Sequence, residues 1–189
     1  MTVFEYVAVL ISIVVGLSIT HLLAGVGRLI GRPGSAKPYW IHLLWVFFVF
    51  SWLVQFWWWE FGFSDVETWR FELFSFLIMY AVLLYLVCVV IMPRQFPEGG
   101  DYRDHYYARR RWFFGLLTAV YIVDMLDTLL KGVDYFISQP LDLFVATAAM
   151  VALNAIAMFS ASARFHGAFA IASIVYQWSL VIRTLGTMS

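Results

Sequence analysis

Asp124 and Asp127 stand three residues apart in an otherwise apolar stretch, and Lys131 follows four residues after Asp127. On a helix these offsets make side chains neighbours, so two carboxylates and one ammonium share a face. Carboxylates this close resist simultaneous ionisation, which suits them to hold and release a proton or to attract a small cation. Counted from Trp112, Asp124 falls about 18 Å and Asp127 about 22 Å along a helix, and acids at such depth in a membrane span are costly enough to mark a functional candidate. Arg183 is a candidate counter-charge, and Glu60 and Glu72 are candidates to enlarge an acidic mouth. The plain counterpart is a solvated helix end carrying an Asp127–Lys131 ion pair.

The four histidines offer a second chemistry. His21 and Arg28 lie seven residues apart, near one helix face, with Gly25 between them; His42 opens the second apolar stretch, His105 lies in the polar middle, and His166 precedes the last stretch. Imidazole relays protons or ligates metal or haem, so His21, His42, His105 and His166 are candidate cofactor ligands, with His21 and Arg28 also candidates for the inner end of an ion path. Haem is one cofactor to consider. Quinone is another, given the aromatic stripe Phe47, Phe48, Phe50, Trp52, Phe56, Phe61, Phe71, Phe74 and Phe76. No C-x-x-C or H-E-x-x-H spacing assigns a metal, and no glycine-rich phosphate cradle is present. Ser160 and Ser162 near His166 do not make a nucleophile and base, and the lone Cys88 excludes a disulfide within one chain. A lipid-modifying enzyme has no reaction specified by these residues.

The elements that must position these groups are hydrophobic. Of the 189 residues 63% are apolar and 13% charged, against about 25% charged in soluble domains. Six apolar stretches are expected to form transmembrane helices over residues 3–30, 39–59, 71–92, 112–130, 141–162 and 168–185. Continuous apolar runs favour helices over a barrel, whose strands alternate. The expected fold is all-α: a compact six-helix bundle with short linkers, in one integral membrane domain. The first stretch begins with Glu5 and no basic residue and is too long for a signal-peptide core, so it reads as a retained anchor. Trp57, Trp58 and Trp59 mark a membrane interface. A short interfacial helix is expected within 101–111, and a fourth helix ending near Asp124 also fits. The fifth and sixth spans are expected to be an antiparallel neighbouring pair.

Charge supplies direction. Residues 28–37, 94–111 and 164 hold nine basic and three acidic residues, whereas the ends and the other linkers hold three basic and nine acidic. The positive-inside rule puts the first set in the cytoplasm, with both termini external and a bacterial cytoplasmic membrane as the expected location. No concentrated basic surface lies outside the middle linker, so no nucleic acid partner is expected.

Ser12, Gly16, Thr20 and Ala24 recur every four residues and form a small-residue face suited to close helix packing. Asn154 needs a partner across a helix interface. The alanine-rich fifth helix fits a position with neighbours on several sides. Three functional classes follow: a small channel or transporter for protons or cations, oligomeric where one bundle offers too little volume; a haem- or quinone-binding redox protein; and an accessory or structural subunit. The expected partners are membrane lipids, further copies of the chain, or a membrane complex.

Overall fold

A computed structural model describes residues 3–63 and 69–185, with the side chains of residues 184 and 185 left aside. Asp65 and Glu67, which contribute to the acidic linker, lie outside the described residues. Helices α1 (Val3–Gly31), α2 (Trp40–Trp59), α3 (Phe71–Ile91), α4 (Tyr102–Leu130), α5 (Val133–Ser138), α6 (Leu141–Phe159) and α7 (Ala163–Leu185) make up almost all of it. Six of them, all but α5, are long and apolar enough to cross a membrane, and the protein is a polytopic helical membrane protein.

Successive spans run in opposite directions, which gives the bundle a basic end and an acidic end. At the basic end a two-residue parallel pairing joins β1 (Ala36–Lys37) to β2 (Gly100–Asp101), and Gly99 N donates to Ser35 O at 2.7 Å. The two basic linkers are therefore tied together. At the acidic end Phe4 of α1 meets Phe61 and Trp69, with ring centroids 6.0 and 6.2 Å apart. Arg183 of α7 donates to Asp142 of α6 there as well.

Helix α2 is the central span, with 61% of its most apolar window inside the bundle, and α6 is the peripheral one, with 17%. The alanine-rich α6 thus does not sit among neighbours on several sides. Ala148, Ala149, Ala152 and Ala155 are exposed and Ala157 is buried. Small side chains let α6 lie close against α4 on one face and contribute little elsewhere. Helix α6 packs chiefly on α4, and α7 chiefly on α2. The last two spans meet each other more sparingly than their short connection suggests.

The interfacial helix and the fourth span prove to be one continuous helix, α4. Asp101 caps it by accepting from Arg103 N at 2.8 Å. No proline or glycine interrupts residues 102–114, so nothing breaks the helix at the membrane boundary. At 29 residues it is about 44 Å long, more than the hydrocarbon needs, and its first turns pack at the basic end, where Tyr102 and Tyr106 are buried and the Tyr102 ring lies 4.9 Å from that of His42. It also continues past Asp124 to Leu130. Gly132, at φ 140°, then turns the chain into α5.

Helix α1 lies close against the end of α3 at Gly25, where an added Cβ would collide with the buried side chain of Met92. The buried face of α1 is Val7, Ile11, Val15, Ser18, Leu22 and Gly25. Gly16, Thr20 and Ala24 lie on the exposed side, and Gly16 has open space where a Cβ would be. Within one chain α1 therefore packs through its larger apolar residues, leaving most of the small-residue face free.

Candidate functional site

The acidic end holds a polar cluster built from three elements: the end of α2, α3 and α4. Helix α2 tightens at its end into a 3-10 turn, Glu60–Phe63. In that geometry residues three apart eclipse one another. Glu60 and Phe63 are accordingly both buried, 6% and 0% exposed, while Phe61 points outward. Opposite them α4 presents Asp124 and Asp127, Lys131 follows at its C-cap, and α3 presents Tyr80.

Lys131 Nζ lies 2.6 Å from Asp127 Oδ2, with the two side chains 9% and 4% exposed, and 5.0 Å from the centroid of the Phe63 ring. The ion pair expected as a solvated helix end is thus a buried pair under an aromatic ring. Burial works against the Lys131 ammonium, but Asp127 and Glu60 outweigh it and hold its pKa above the usual lysine value. Tyr80 Oη donates to Asp124 Oδ1 at 2.9 Å. Glu60 lies in the electrostatic field of Asp127, Lys131 and Asp124. Two buried carboxylate oxygens, Glu60 Oε2 and Asp127 Oδ1, have no hydrogen-bond partner among the described residues. Buried oxygens of this kind are costly unless something binds them.

Of the residues singled out by sequence, Glu60, Asp124, Asp127 and Lys131 come together. Arg183 does not join them, because its guanidinium is taken by Asp142 in an exposed pair. Glu72 is exposed in the first turn of α3. Tyr80 was not legible as a partner for Asp124. It sits in an apolar stretch of α3, and only the packing of α3 against α4 brings it there.

At the basic end the histidines divide into two groups. Pro93 stops α3 and leaves its last carbonyls without helical donors. His21 Nε2 donates to Met92 O at 2.6 Å, His42 Nε2 to Ile91 O at 2.8 Å, and Arg28 to Pro93 O at 2.8 Å. The His21–Gly25–Arg28 face of α1 is therefore a cap for α3, whose carbonyl end favours cationic and donor groups. His105 stacks edge-on to His42, with ring centroids 6.2 Å apart. His166 lies elsewhere: its Nε2 donates to Ser160 O at 3.1 Å, so its Nδ1 accepts from Tyr106 Oη at 2.8 Å. Among the described residues no group of three or more His, Cys, Asp or Glu is arranged to hold a metal ion. Asn154 is fully buried, yet neither amide atom has a partner among the described residues.

Between the two ends lies a ring cluster centred on Trp45, which is 0% exposed. Phe48, Phe113, Phe114 and Phe169 surround it edge-on, with centroids 5.1 to 5.5 Å away. The aromatic stripe of α2 thus turns partly inward and closes the core between the histidines and the acids. No family model, no curated protein and no solved structure matches this chain.

Proposed function

We propose that the protein binds and moves protons or small cations at the Glu60–Asp124–Asp127–Lys131 cluster. The observation that carries this reading is the imbalance of the cluster: two buried carboxylates, Glu60 and Asp127, and the half-buried Asp124 gather around a single ammonium. Surplus charge in a low-dielectric site is costly, and a proton or a cation is the species that offsets it. Tyr80 orients Asp124 through its hydroxyl, and Lys131 fixes Asp127 through its ammonium. The partnerless oxygens of Glu60 and Asp127 are the positions where a mobile charge is exchanged. Flux across vesicles reconstituted with the purified chain, driven by a pH or cation gradient, should exceed that of protein-free vesicles. Equal flux in both would sink the reading.

The distribution of basic residues supports a cytoplasmic basic end, external termini and residence in a bacterial cytoplasmic membrane. Reporter fusions at positions 34, 98 and 165 should then all appear cytoplasmic. Three external reporters would invert the orientation and put the acid cluster inside.

A second reading, assembly with further copies or with a membrane complex, is favoured by the exposed Gly16, Thr20 and Ala24 on α1. Small residues on a lipid-facing helix permit close approach of another helix. Enlarging the face with Gly16→Leu and Ala24→Leu should dissociate such an assembly in mild detergent. An unchanged assembly size would assign the face to lipid.

A further inference from the structure

At the basic end, where α4, α6 and α7 meet, four arginines stand without a compensating acid. Arg109, Arg110 and Arg111 are consecutive on α4, and Arg164 lies in the first turn of α7. No acidic residue occurs from His105 to Val123 or from Leu143 to Ala170, and none of the four arginines forms an ion pair among the described residues. Arg111 and Arg164 are exposed, and Arg110 is half-buried.

Three of them converge on the linker between α6 and α7. The Arg111 guanidinium lies over the Phe159 ring at the end of α6, 5.3 Å from its centroid. Arg110 donates to Tyr107 O, and its charge acts on His166, whose Nε2 donates to Ser160 O in the linker. Arg164 follows that linker directly. Beside the arginines the surface is apolar: Phe159 and Trp112 are 68% and 66% exposed, and Ile156 is exposed one turn below Phe159. Fixed cations and bare hydrocarbon therefore adjoin on one patch.

A guanidinium is permanently charged and offers forked donors that match phosphate oxygens, and a ring beneath it holds its plane while leaving its edge free. Its stem can lie on apolar surface while its head reaches the headgroup layer. A soluble anion would use the arginines alone. A phospholipid uses both halves of the patch, with its phosphate on the arginines and its chains on the exposed apolar residues, and basic surfaces between transmembrane helices suit anionic headgroups. A zwitterionic headgroup would bring its own cation into the same positive field.

We infer that the Arg110–Arg111–Arg164 surface, beside the α6–α7 linker, is a binding site for an anionic phospholipid. It shares no residue with the acid cluster and is independent of ion movement.

The test is native mass spectrometry of the delipidated full chain in nonionic detergent, titrated with phosphatidylglycerol or with phosphatidylcholine of the same acyl chains. Phosphatidylglycerol should bind about tenfold more tightly, and Arg111→Gln/Arg164→Gln should remove most of that preference. Arg32→Gln/Lys37→Gln, which removes as much charge from another exposed part of the basic end, should leave the preference in place. Inorganic phosphate should compete no better than chloride at equal ionic strength. Equal binding of the two lipids, an equal loss in the two double variants, or displacement by phosphate beyond the chloride control would overturn the inference, the last by making the site one for a soluble anion. Phosphatidylglycerol with a photoreactive headgroup locates the site without any variant. Crosslinks within residues 109–112 and 156–164 are expected, and crosslinks confined to other segments would contradict the assignment.

Discussion

Lys131→Met alone should destabilise the protein by about 3–5 kcal/mol, the cost of leaving a buried charge without its partner. The substitution keeps the length and apolar stem of the side chain, so the contact with Phe63 is largely retained and the lost ammonium dominates. Three carboxylates would then share the site with no fixed positive charge. Adding Asp127→Asn to Lys131→Met should return most of the loss, because a buried pair replaced as a unit is often close to neutral. Unfolding in mixed micelles, followed by tryptophan fluorescence, reads both. A Lys131→Met protein as stable as wild type would mean that water reaches the pair and that the cluster is a solvated surface.

Trp45→Ala should be similarly costly, about 3–5 kcal/mol, because it leaves a cavity where one large ring is fully buried. Four edge-on neighbours lose their shared partner at once. Trp45→Phe should cost less, since it keeps an aromatic face and loses volume alone. The same cluster separates the acids from the basic end, which gives Trp45→Ala a second readout. Flux through folded Trp45→Ala should rise if ions pass through a single bundle. Unchanged flux would move the path to an interface between chains, the arrangement that the exposed face of α1 favours.

The architecture was legible because lipid imposes long, continuous apolar runs, and six of them stand out between charged or proline- and glycine-containing linkers. Helix ends were less legible where no residue punctuates them. Tyr102 to Trp112 reads as a separate polar segment, but helix formation depends on breakers and caps as well as polarity, and only the Asp101 cap is present. The acid cluster was half visible. Asp124, Asp127 and Lys131 share one helix and one periodicity, whereas Glu60 and Tyr80 reach them only through the 3-10 turn and the α3–α4 contact.

The histidines show the opposite case. Their chemistry suggested ligands, and two of them, His21 and His42, hydrogen-bond the last carbonyls of the proline-terminated α3. The signal that could have found this is Met92–Pro93, which strands carbonyls at a fixed depth and so demands donors from neighbouring helices. Helix α1 is a related lesson. A small-residue face predicts close packing without saying whether the partner lies in the same chain.

Flux in reconstituted vesicles, comparing wild type with Asp124→Asn/Asp127→Asn, addresses the acid cluster most directly. These amides keep the shape of the side chains, and Tyr80 still has an oxygen to donate to. Wild-type protein should dissipate an imposed pH or cation gradient, and the double variant, folded and inserted to the same extent, should be no faster than protein-free vesicles. Undiminished flux in the double variant would contradict the assignment of ion exchange to these carboxylates.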